Sequence, residues 1–133
     1  MNLLSLLSAH PVGEVRCGVV SVGADDMTAV LAKFGLSAPD QGLVELDRPR
    51  AMALLTQLIE VDLAYGTACT SHEEAGVIAE TLLSEHTGPD SRYFSNGDGT
   101  CSWMPLTSST FDAGLLVQHR PHVYFCVWFE END

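Results

Sequence analysis

The chain has 133 residues, and six basic side chains against eighteen acidic ones give it a formal net charge of -12. Hydrophobic residues make up 46% of it and charged residues 18%, which excludes a disordered acidic tail, because such tails lack the apolar content to fold. So few Lys and Arg residues argue against direct nucleic-acid binding through phosphates, and no apolar run approaches the ~20 residues that a membrane span needs.

The length reads as one globular domain over residues 1–133, large enough to be stable without a metal, cofactor or disulfide. Cys17, Cys69, Cys101 and Cys126 are widely spaced, and Cys17 and Cys126 sit inside apolar strand-like runs. They read as reduced thiols of a cytoplasmic protein. The start, MNLLSLLSAHP, lacks the positive charge and small-residue cleavage site of a secretion signal. Leu3, Leu4, Leu6 and Leu7 instead suit a short helix packed on the core, ended near His10 by Pro11.

Residues 14–22 alternate as a strand. Asp25 or Asp26 then caps a helix that passes Leu31 and Phe34 and stops at Gly35. A loop over 36–42 and a short strand over 43–46 follow. Asp47 is placed as an N-cap with Pro49 in the first turn. The apolar stripe Ala51, Leu54, Leu55, Leu58, Val61 and Tyr65 carries this helix to about Tyr65, before Gly66. Ser71 and Glu74 form a capping-box pattern, which opens a helix with Ala75, Ile78, Ala79 and Leu82 on one face and Gly88-Pro89 at its end.

From residue 91 the period changes to two. Arg92 to Ser95 is a strand, Asn96-Gly97-Asp98-Gly99 a hairpin turn, and Cys101 to Leu106 a returning strand limited by Pro105. Phe111 to Gln118 alternates, residues 119–122 turn, and Val123 to Phe129 reads VYFCVWF. Glu130, Glu131, Asn132 and Asp133 read as a solvated acidic end. The order predicts an α+β domain: a mostly antiparallel sheet with C-terminal hairpins and three to four helices packed on one side.

Several residue patterns bear on chemistry. Cys69-x-x-His72 has ligand spacing, but the other such pair, His119-x-x-His122, lies in a turn, so the four ligands of a zinc site are not assembled. Cys69 before a helix could be a nucleophile with His72 as base, although Glu73 and Glu74 oppose a thiolate there. No Gly-x-Ser-x-Gly elbow is present. SNGDGT lacks the Lys and following helix of a phosphate loop.

Arg48 and Arg50 stand at a helix start, which the macrodipole disfavours. They pair with Asp47 or other surface acids, or else contact an anion. Asp98 and Asp112 flank the strands as carboxylates for a basic partner. In VYFCVWF, Phe125 and Val127 share one face and Tyr124 and Trp128 the other. A sheet covered on one side should show a polar second face. Either the chain covers both faces, or Tyr124 and Trp128 meet a partner, with Trp103 extending the patch.

The leading expectation is a small acidic binding protein, not an enzyme. It would be an inhibitor or immunity-type protein that neutralises a basic protein partner, or a nucleic-acid mimic that blocks a nucleic-acid-binding protein. The alternatives are a small-molecule enzyme using Cys69 and His72, and a homodimeric subunit built on residues 123–129.

Overall fold

The computed structural model describes residues 10, 13–38, 42–97 and 105–132. The expected N-terminal helix, the tip of the 96–99 turn and the expected returning strand up to residue 104 lie outside them, while residues 105 and 106 are not strand. The described elements are β1 (Glu14–Ser21), α1 (Met27–Lys33), β2 (Val44–Leu46), α2 (Arg48–Glu60), α3 (His72–His86), β3 (Arg92–Ser95), β4 (Phe111–Arg120) and β5 (Val123–Glu131). The five strands form one antiparallel sheet in the order β1-β5-β4-β3-β2, so the architecture is α+β. No described helix is long and apolar enough to cross a membrane.

Local chemistry sets most boundaries. Asp26 caps α1 by accepting from the Thr28 N–H, and Gly35, at φ 74°, supplies the left-handed residue that ends it. Asp47 caps α2 through the Arg50 N–H, with Pro49 in its first turn. Ser71 caps α3 through the Glu74 N–H. The Glu74 carboxylate accepts from the Thr70 hydroxyl at 2.7 Å, so the capping box is only half made.

α2 ends at Glu60, five residues before the stripe that reaches Tyr65. Residues 61–69 turn back instead: Val61 bridges Ala68, Asp62 accepts the Thr67 N–H at 2.5 Å, and the Cys69 N–H reaches the Glu60 carbonyl. Tyr65 is left exposed. The Glu131 carboxylate accepts the Leu63 and Ala64 N–H groups from the far end of the chain. A tertiary acceptor for these N–H groups outweighs one more turn of helix.

The sheet is covered on both sides, not on one. Ala51, Leu54, Leu55, Leu58 and Ile59 of α2 and Ala75, Ile78, Ala79, Leu82 and Leu83 of α3 pack with Tyr93, Ala113, Leu115, Val117, Phe125, Val127 and Phe129. On the opposite face Val30 and Leu31 of α1, with Leu36 and Leu106, pack with Phe94, Leu116, Tyr124, Cys126 and Trp128. β5 is apolar on both faces because both are core.

Of the expected solvated end, Glu130 and Glu131 are instead buried, Asn132 is exposed, and Asp133 lies outside the described residues. Glu130 and Glu131 are 5% and 4% exposed. The Glu130 carboxylate accepts from Nε and Nη2 of Arg16 on β1, at 2.5 and 3.3 Å, and from the Ser109 hydroxyl at 3.1 Å. β4 runs through to Arg120, past the expected turn, with a register shift between Gln118 and Arg120. His122 takes φ 69° in the tight turn that remains. His10 is buried; its Nδ1 must carry the proton because its partner at 3.0 Å is the Ile59 carbonyl, and its ring meets Phe129 edge-on.

Candidate functional site

The residues singled out from sequence separate into four groups. Asp98 and Trp103 lie outside the described residues. Tyr124 and Trp128 are 2% and 0% exposed, so the α1 layer, not a partner, covers the second face of β5. The Tyr124 hydroxyl donates to Asp25 at 2.9 Å. Burial, then the bond to Asp25 and its charge, push that phenol up to about 12.

Asp112 is also internal. Its carboxylate accepts from the Leu106 and Thr107 N–H groups, the Thr107 hydroxyl, the Asn96 amide and the Trp128 indole at 2.9 to 3.2 Å. It is a structural hub, not a surface contact for a basic partner. The sequence carried a faint signal of this. Asp112, Gly114 and Trp128 share one face of paired strands, and a buried indole N–H needs an acceptor. Gly114 stands opposite Trp128, where a Cβ would lie 2.6 Å from the indole ring.

The arginines at the start of α2 behave differently from each other. Arg48 Nη1 donates to the Thr87 hydroxyl at 2.9 Å and the Tyr93 hydroxyl at 3.0 Å, tying α2 to the end of α3 and to β3. Neither arginine pairs with Asp47, whose carboxylate is taken by the Arg50 N–H. Among the described residues the Arg50 side chain has no hydrogen bond or ion pair.

Cys69 and His72 are not joined. The His72 Nδ1 lies 2.6 Å from Glu60 Oε1, while the Cys69 thiol donates to the Thr67 carbonyl at 3.8 Å. Burial and the charges of Asp62 and Glu131 raise the Cys69 pKa, the reverse of what an activated thiol needs. Among the described residues no group of three or more His, Cys, Asp or Glu side chains is placed to hold a metal ion.

The outer side of α3 is an acidic face that the residue patterns of the sequence do not isolate. Its inner stripe, Ala75, Ile78, Ala79, Leu82 and Leu83, is buried. Its outer side carries Glu73, Glu74, Val77, Glu80, Ser84 and Glu85. Val77 is 59% exposed and lies one helical turn from Glu73, Glu74 and Glu80. A shallow open hollow of about 410 Å³ is lined by Val77, Glu80, Thr81, Ser84 and Glu85.

α3 contains no Lys or Arg, so no glutamate there gains an i, i+4 ion pair with a basic residue. Elsewhere, among the described residues, two of the six bases stand in ion pairs: Arg16 with Glu130, and Arg92 with Glu45 through two bonds of 3.0 and 2.7 Å. Several acids are engaged in the interior, namely Asp62, Asp112, Glu130 and Glu131. The outer side of α3 thus presents Glu73, Glu74 and Glu80 to solvent with no Lys or Arg on the same helix. Compared with known proteins, the chain matches no family model, no curated sequence and no solved structure.

Proposed function

We propose that the chain is a small acidic binding protein, of the inhibitor or immunity type, that docks a basic protein partner through the outer side of α3. The observation that carries this reading is a helix face of Glu73, Glu74 and Glu80 around exposed Val77, with no Lys or Arg on the helix. An apolar point ringed by like charge suits a partner that supplies lysines or arginines and one apolar contact. Complementary charge speeds encounter and sets orientation. The raised thiol pKa of Cys69 and the separate partner of His72 weigh against a thiol enzyme at that position.

The test is capture of the partner from native lysate by wild type, by Glu73→Lys/Glu80→Lys, and by Asp90→Lys as a charge reversal elsewhere. The reading expects a basic protein retained by wild type and Asp90→Lys, lost with the α3 double variant and lost at high salt. Retention by the α3 variant at high salt overturns it.

A further inference from the structure

We propose that β1 is a self-association edge, and that two copies of the chain join by antiparallel β1–β1 pairing into one continuous ten-stranded sheet. This goes beyond the α3 reading and does not rest on it.

The argument begins with hydrogen-bond parity. β1 pairs with β5 in unbroken register, from Glu14 opposite Glu130 to Ser21 opposite Val123. One residue further, the Val22 N–H donates to the His122 carbonyl at 2.8 Å. Antiparallel pairs alternate between bonded and non-bonded. Glu14, Arg16, Gly18 and Val20 therefore spend their backbone groups on β5. Val15, Cys17, Val19 and Ser21 point theirs away from the sheet. Among the described residues no backbone or side-chain group bonds to these four.

The edge is long and lacks the usual protection. β1 has eight residues, none of them fully buried, whereas the opposite edge strand, β2, has three. Edges are normally shortened, bulged, or guarded by lysine or proline. β1 has no lysine, proline or register shift. Its single cation, Arg16, is folded back onto Glu130 and the Phe34 carbonyl. Val19 stands 51% exposed on this strand.

The occupant follows from self-complementarity. In a two-fold arrangement with Gly18 opposite its own copy, all the outward residues find outward partners. Val15 meets Ser21, and Cys17 meets Val19. Glu14 then faces Val22 and Arg16 faces Val20, so no like charges stand directly opposite, an arrangement that favours pairing. Such an interface is isologous and closes at the dimer. A strongly acidic chain repels its own copy over most of its surface, but β1 carries only Glu14 and the already neutralised Arg16.

Val19→Pro removes one outward N–H that β5 does not use, a position where edge proline is tolerated. Val19→Lys adds an edge charge without touching the backbone. Sedimentation velocity and amide exchange from low to high micromolar concentration are the readouts. The proposal expects a wild-type mass rising toward twice that of one chain. The Val15, Cys17, Val19 and Ser21 amides should exchange more slowly as concentration rises. Both variants should stay monomeric with cooperative unfolding retained. A wild type monomeric throughout the range overturns it, and so does a dimer that survives in both folded variants.

Discussion

The indole N–H of Trp128 donates to Oδ1 of Asp112 at 3.1 Å, inside the layer that α1 and Leu106 close over the sheet. The same carboxylate holds the Leu106 and Thr107 N–H groups, so it fastens the loop that delivers Leu106 onto Trp128. Donors alone, with no cation among them, offset the cost of placing a carboxylate there.

Asp112→Ala leaves several buried donors unpaired and should cost on the order of 3–5 kcal/mol, comparable to breaking a buried charge network. Trp128→Phe removes one donor and part of the ring and should cost less, roughly 1–3 kcal/mol. Urea unfolding of the two variants checks the order; an Asp112→Ala midpoint equal to wild type would discard the hub.

The two arginines of α2 should separate on mutation. Arg48→Ala loses bonds to Thr87 and Tyr93 and should cost roughly 1 kcal/mol for a partly exposed pair of contacts. Arg50→Ala should stay within about 0.5 kcal/mol of wild type. Thermal denaturation of the pair decides it, and equal shifts would contradict the geometry.

Stability should fall at both ends of the pH range. The Arg16 hydrogen bond, aided by its charge and opposed by burial, holds the Glu130 carboxyl below the usual range. The folded state thus binds fewer protons there than the unfolded chain. This contribution is complete above the ordinary carboxylate value of about 4.3 and is lost as pH falls through the depressed one. The stability gap between wild type and Arg16→Gln should therefore narrow from pH 7 to about pH 3. A gap that stays constant would refute the linkage.

At the alkaline end, burial raises Cys17 to about 11, and burial with Asp25 raises Tyr124 to about 12. The fold favours their neutral forms. That stability is complete below the unfolded values and declines as pH rises from about 9 for Cys17 and about 10 for Tyr124 toward the folded values. Tyr124→Phe should remove part of this decline in urea titrations taken between neutral and alkaline pH.

Thiol reactivity should follow exposure. Cys17, Cys69 and Cys126 are free thiols, with Cys126 buried and its pKa raised by burial. In native protein an alkylating reagent should label Cys69 first, Cys17 slowly, and Cys126 only on unfolding. Peptide mass spectrometry against time reads the order. Early labelling of Cys126 would mean that the α1 layer opens readily.

Much of the fold was legible in the chain, because caps and periodicity act locally. Asp26, Asp47 and Ser71 each bond an N–H two or three residues away. The alternation in β4 and the doubly apolar β5 express burial by position. The end of α2 was not legible. Its stripe continues to Tyr65, but the acceptor for the Leu63 N–H is Glu131, 68 residues further on. Glu130 and Glu131 misled for a related reason: composition cannot show that Arg16 would lie 2.5 Å from Glu130.

The candidate site divides in the same way. Net charge by itself pointed to a basic partner. The named aromatics and Asp112 turned inward because β5 is a central strand with a layer on each side, which only strand order decides. The sequence determined which segments become helix and strand, since those preferences are settled within a few residues. Tertiary structure decided which acids are used up in the interior and which stay exposed to solvent. Those outcomes depend on contacts such as Arg16 with Glu130, 114 residues apart, that no local pattern encodes.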